Sequence, residues 1–146
     1  MIKKLKDIAR ELSILYVDDN KELCKTNLSF FNDIFKEADY ALNGYDAIKL
    51  YKKNSYDLVI TDINMPRLNG FLLIKKIKKI NPHQTVIIVS AYSEIEHLSK
   101  INHCNIDYFL TKPVDTKELI AKIYECISTE EVREWFIPLP KKKASL

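Results

Sequence analysis

Three acids, an amine and a hydroxyl stand where apolar runs end. "LYV" is followed by Asp18 and Asp19, "LVIT" ends on Asp62, "VIIV" ends on Ser90, and "YFLT" is followed by Lys112 and Pro113. Carboxylates gathered in one cleft repel each other, so their charge needs a counterion. A hard, oxygen-seeking divalent cation meets that need, and Mg²⁺ suits a site with few protein ligands and several waters. A carboxylate beside such a cation, a lysine and a hydroxyl is a place for a phosphoryl group. The cation and the ammonium neutralise its oxygens, the hydroxyl binds another, and the carboxylate can be the nucleophile. Taken singly, each acid reads equally well as a helix cap or a solvated loop residue, so the chemistry rests on their combination.

That combination requires a scaffold that brings four run ends together. Five short segments have strand character: 13–17, 36–42, 56–62, 85–91 and 107–111. Amphipathic segments lie between them at 20–33, 43–54, 70–80, 93–101 and 115–127. Asn20 and Asn43 are good N-caps. Ser93 with Glu96, and Asp115 with Glu118, stand at capping-box spacing. Strands alternating with helices predict an α/β domain, a doubly wound five-stranded parallel sheet covered on both faces. Right-handed crossovers leave few strand orders. One of them, 2-1-3-4-5, makes the first and third strands neighbours and opens a crevice at their carboxyl ends, where Asp18, Asp19 and Asp62 would meet.

Composition narrows the alternatives. The 146 residues are 47% hydrophobic and 29% charged, the balance of one globular domain, and no apolar run approaches a membrane span. The first residues lack the apolar core of a signal peptide, so a cytoplasmic location is expected. Cys24, Cys104 and Cys126 form no C-x-x-C pair, which argues against zinc. His97 and His103 are six residues apart, outside helical metal spacing, and His83 stands alone. Lysines cluster at Lys75–Lys79 and Lys141–Lys143, but a net charge of +3 is too small for a nucleic-acid surface. The clusters read as a solvated helix face and a flexible tail.

The pieces "LYVDDN", "DLVITDINMPRLNG", "VIIVSAY" and "DYFLTKPVD" occur in an order and spacing that resembles the response-regulator receiver domains of bacterial two-component signalling. The likeness covers about Leu12 to Ile127. It implies a flavodoxin-like fold with strand order 2-1-3-4-5. It also implies that Asp62 accepts a phosphoryl group from a sensor histidine kinase or a phosphotransfer protein. Asp19, Asp62 and the backbone carbonyl of Asn64 would bind Mg²⁺, with Mn²⁺ as a substitute, and Asp18 would act through a water. Lys112 would pair with the phosphoryl group and hold Asp62, and Pro113 would follow it through a cis bond. Met65, Pro66 and Gly70 would shape the loop after Asp62. Asn64 and Tyr92 lie where the family modulates phosphoryl lifetime. An aromatic ring at position 92 would shield the acyl phosphate from water. Replacing Tyr92 by Ala is therefore expected to speed dephosphorylation, followed by release of inorganic phosphate.

The resemblance further implies a switch. Ser90 moves toward the new oxygens and the ring of Tyr108 turns into the space vacated. The surface formed by the segments 93–101, 107–111 and 115–127 then changes shape. The two switch residues lie at the ends of adjacent strands, so short steric coupling is expected. Such a protein catalyses only its own phosphorylation and dephosphorylation. A downstream protein target is implied, and that surface or the C-terminal tail could form a homodimer. No direct contact with nucleic acid or membrane is implied.

Three other readings fit less well. A Mg²⁺-dependent aspartyl-phosphate phosphohydrolase usually carries Asp-x-Asp after its first strand, whereas Asp18 and Asp19 are adjacent. A flavodoxin-like redox binder needs a phosphate-cradling loop where this chain is acidic, and the chain has only Gly44 and Gly70. An interaction module that is never phosphorylated would have no reason to keep all the site positions. Beyond the domain at 12–127, residues 1–11 space Ile2, Leu5, Ile8 and Leu12 like one helix face. Residues 128–146 read as an extension of the last helix toward Trp135, Phe136 and Ile137, stopped by Pro138 and Pro140. A stand-alone regulator and one part of a longer protein remain equally open.

Overall fold

The computed structural model describes residues 2–91 and 108–128. Expectations for Tyr92, the helix over 93–101, His97, His103, Cys104 and the segment 129–146 lie outside the described residues.

The apolar runs form β1 (Ser13–Val17), β2 (Glu37–Ala41), β3 (Leu58–Asp62), β4 (Thr85–Ser90) and β5 (Tyr108–Thr111). They pair in parallel in the order β2-β1-β3-β4-β5, as the acidic strand ends require. Side chains alternate across a strand, so a parallel sheet covered on both faces reads as a continuous apolar run. Ile14, Tyr16, Leu58, Ile60, Ile87 and Val89 enter one core layer. Their neighbours Leu15, Val17, Val59, Val86 and Ile88 enter the other.

β3 begins two residues later than the sequence suggests. Tyr56 donates its hydroxyl to Asp39 Oδ2. Asp57 Oδ2 accepts the backbone N–H of Ser13 at 2.9 Å. Asp57 also donates its own N–H to Ser13 O at 2.9 Å, so hydrogen bonding to β1 begins one residue before the regular pairing, which starts at Leu58.

The helices are α1 (Ile2–Ala9), α2 (Lys21–Asn32), α3 (Gly44–Lys53), α4 (Gly70–Ile80) and α5 (Thr116–Ser128). Side-chain oxygens cap four of them. Asn20 accepts from the N–H of Leu23, Asn43 from Asp46, Asn69 from Leu72, and Asp115 from Glu118. Each such cap stabilises its helix by about 1 kcal/mol. α1, α2 and α5 cover the first core layer, while α3 and α4 cover the second.

α1 packs against α5 and is part of the core. Leu5 and Ala9 are fully buried in the same cluster as Phe31, Cys126 and Ile127. Leu5→Ala is expected to destabilise the fold by about 2–4 kcal/mol, seen as a lower urea midpoint with unchanged slope. A midpoint equal to wild type would mean that α1 is detached in solution.

Candidate functional site

Parallel strands deliver their last residues to one edge of the sheet. Asp62 is the final residue of β3 and pairs with Val89, so Ser90 lies one step beyond it on β4. Asp18 follows β1 directly, and its N–H still bonds to Ala41 O of β2 at 3.1 Å. On the other side, Ser90 pairs with Thr111, and the N–H of Lys112 donates to Ser90 O at 2.9 Å. Asp18, Asp19, Asp62, Ser90 and Lys112 therefore converge. The Lys112–Pro113 peptide is cis.

Carboxylate oxygens of Asp18, Asp19 and Asp62 lie within 4.8 Å of one another. Asp18 and Asp62 are buried, whereas Asp19 is exposed and opens the cleft to solvent. Lys112 Nζ donates to Asp62 Oδ2 at 2.8 Å and stands 3.6 Å from Asp18 Oδ2. The other oxygen of Asp62 accepts two backbone N–H groups, from Ile63 at 2.7 Å and Asn64 at 3.3 Å. Asp18 Oδ1 accepts from Asn20 N–H at 2.9 Å. The Asp62 carboxylate is thus held from both sides.

Electrostatics follow from this crowding. Burial pushes the Asp18 carboxyl above the usual range. The N–H of Asn20 and Lys112 oppose that rise, and the charges of Asp62 and Asp19 add to it. For Lys112, partial burial favours the neutral amine. The hydrogen bond to Asp62 and the charges of Asp18 and Asp62 outweigh it, so the ammonium holds its proton more tightly than an ordinary lysine. Three carboxylates facing one ammonium leave surplus negative charge in an all-oxygen donor set. This fits a hard divalent cation.

A third layer supports the acids. The thiol of Cys24 donates to Asp18 O at 3.2 Å, and burial with the charge of Asp18 raises its pKa to about 12, so it stays a donor. Cysteine at that position gave no advance sign of such a role.

The remaining expected site residues are distributed around the cleft. In the loop after β3, Met65 is buried in the α3–α4 core layer, while Asn64 and Pro66 are exposed. Gly70 opens α4 directly beneath Asp62, and a Cβ there would overlap the Asp62 carbonyl oxygen. Tyr108 corrects the expectation of a short coupling. The register sets it opposite Ile87, whereas Ser90 faces Thr111. Three residues of strand, roughly 10 Å, separate the two levels. A cavity of about 460 Å³, lined by Tyr51, Tyr56, Ile80 and Gln84 among others, lies at the amino end of the sheet, away from these acids. No helix among the described residues is long and apolar enough to cross a membrane.

Comparison with known proteins agrees with this geometry. Residues 14–124 match the model of the response regulator receiver domain. The chemotaxis protein CheY of Treponema pallidum is 30% identical over 113 residues, covering 75% of this chain and 78% of that protein. The transcriptional regulatory protein ZraR of Salmonella typhimurium is 26% identical over 94% of this chain, which spans only 31% of ZraR's length. Among solved structures, a response regulator receiver domain protein from Clostridium thermocellum superposes with a TM-score of 0.71. It is 28% identical and covers 84% of this chain and 98% of its own. Fold, acidic cleft and sequence likeness coincide: the chain belongs to the response regulator receiver domain family of two-component signalling.

Proposed function

We propose that this chain is a phosphoryl-accepting switch in which Asp62 is the acceptor. The observation that carries this reading is the Asp62 carboxylate, pinned by Lys112 on one oxygen and by two backbone N–H groups on the other, beside Asp18 and Asp19. An oxygen of Asp62 attacks the phosphorus of a phosphohistidine. The new P–O bond forms as the P–N bond breaks, and the imidazole nitrogen leaves with the electron pair. The donor is a sensor histidine kinase or a phosphotransfer protein.

Asp19, Asp62 and the carbonyl of Asn64 would hold Mg²⁺ (or Mn²⁺), with Asp18 acting through a water. When bound, the ion supplies positive charge that neutralises phosphoryl oxygens. Lys112 transfers its hydrogen bond from Asp62 to a phosphoryl oxygen, and the Ser90 hydroxyl binds another. Tyr108 then reports the change to the surface that includes β5 and α5. A relay from Ser90 to Tyr108 would have to span three residues of strand. Phosphorylation biases two existing conformations.

The protein acts only on itself, works in the cytoplasm and hands its signal to a protein target, or to a second copy through that surface or the C-terminal tail. It contacts neither nucleic acid nor membrane directly.

The test is incubation with Mg²⁺ and a small phosphoramidate, followed by mass spectrometry. One added phosphoryl group per chain is expected. Continuous turnover of phosphate esters would favour a phosphohydrolase, and no uptake at all would leave an interaction module.

A further inference from the structure

The loop 63–69 carries Asn64 and is tied at several points. Ile63 O accepts the N–H groups of both Met65 and Gly70, at 3.1 and 2.9 Å. Leu68 O accepts the N–H of Gly44, the first residue of α3, at 2.9 Å. Between these ties sits Arg67, with φ of 68°, the one non-glycine residue of positive φ among the described residues. A long side chain in the left-handed region costs free energy and persists only where its surroundings hold it.

The surroundings are on α3. The Arg67 guanidinium carbon lies 4.6 Å from the centre of the Tyr45 ring. Its Nη1 is 3.9 Å from Asp46 Oδ1. Asp46 is itself fixed, since its N–H donates to Asn43 Oδ1 at 2.8 Å and its Oδ2 accepts from Asn43 Nδ2 at 2.9 Å. The start of α3 therefore presents a carboxylate and a π-face to Arg67, the ring being shared with Lys49, whose Nζ lies 4.5 Å from its centre.

We infer that Arg67 and Tyr45 form a latch that positions the Asn64 carbonyl for the divalent cation. The inference rests on the proposed phosphoryl switch, and it assigns positioning rather than catalytic roles to both residues. Arg67 touches neither Asp62 nor Lys112 in any contact of the site. It acts by holding the left-handed turn three residues after Asn64. The latch pre-forms one metal ligand that the chain supplies from loop backbone rather than from a strand end.

The variants Arg67→Gly, Tyr45→Leu and their combination separate the latch from general loop stability. Glycine adopts the left-handed conformation freely, so Arg67→Gly removes the side chain and leaves the turn allowed. Each single variant is expected to weaken Mg²⁺ binding about two- to fivefold in calorimetric titration, the size of an exposed cation–π contact. Amide hydrogen exchange of residues 63–69 in metal-free protein is expected to quicken in both. The double variant is expected to bind Mg²⁺ no more weakly than Arg67→Gly alone, because that change already removes the contact with the Tyr45 ring. Wild-type affinity in the variants, or additive losses in the double one, would overturn the latch while leaving the switch intact. A wild type that shows no saturable Mg²⁺ binding would overturn the metal-dependent switch and the latch together.

Discussion

Asp62→Asn is expected to abolish phosphoryl uptake while leaving the fold intact. The change is isosteric, and the asparagine carbonyl can still accept from Lys112 or from the N–H groups of Ile63 and Asn64 that now hold the carboxylate. An amide, however, lacks the charge and lone-pair availability that make a carboxylate a nucleophile. Removing one of three clustered negative charges also relieves repulsion among Asp18, Asp19 and Asp62. The weakened bond to Lys112 works in the opposite direction, so net stability is expected to move by no more than about 1 kcal/mol. Mg²⁺ affinity is expected to fall at least about tenfold, which corresponds to ~1.4 kcal/mol for one lost charge near a divalent ion. Mass spectrometry after phosphoramidate treatment reads the first effect, thermal unfolding the second and calorimetry the third. A variant that still gains a phosphoryl group would move the acceptor to another side chain and remove the basis of the proposed switch.

The central strands β1, β3 and β4 were legible because they are buried on both faces and therefore spelled largely in Val, Ile and Leu, unlike the edge strands β2 and β5. The acidic cleft was legible for a related reason. A parallel sheet sends all its carboxyl ends to one edge, so acids, Ser90 and Lys112 at run ends must meet once the strand order is known. Helix starts were readable at Asn20, Asn43 and Asp115, whose side chains accept the expected N–H groups. What escaped was information carried by distant partners. The N–H of Gly44 serves Leu68 O across the loop, a partner that nothing near Gly44 in the sequence indicates. Arginine at position 67 gave no hint of a positive φ, because nothing in that residue type favours it. Cys24 read only as a reduced core or surface thiol, not as a donor to Asp18 O. The separation of Tyr108 from Ser90 depended on register, which for a strand as short as β5 is set by its neighbours and not by its own letters.

Gly70→Ala is expected to damage the site more than any comparably small change elsewhere in the loop. The need for glycine here is spatial, since no glycine in the described residues has a positive φ. A Cβ at position 70 would overlap the carbonyl oxygen of Asp62 and come within 2.8 Å of Ile63 Cα and 2.9 Å of the Asp62 carbonyl carbon. All three are backbone atoms at the end of a central strand, where no flexible side chain can yield. The N–H of Gly70 also closes the loop on Ile63 O at 2.9 Å, so retreat of α4 would break that bond. Alanine usually favours a helix by up to about 1 kcal/mol over glycine, but position 70 is the first helical residue and gains little of this. Overpacking against fixed atoms costs roughly 1–3 kcal/mol, and so a net loss of about 2 kcal/mol is expected in urea unfolding. The functional loss is expected to be larger than the stability loss. Relief of the overlap must displace the peptide of Asp62 itself, and a small shift breaks the alignment of its carboxylate with Lys112. The Mg²⁺-dependent phosphorylation rate of folded Gly70→Ala is expected to drop by about 10²-fold, on the scale that misplacement of a reacting group by an ångström produces. Wild-type rates in a stably folded alanine variant would show that α4 can move away without disturbing the strand end, and that the close contact between Gly70 and Asp62 has no part in positioning the acceptor.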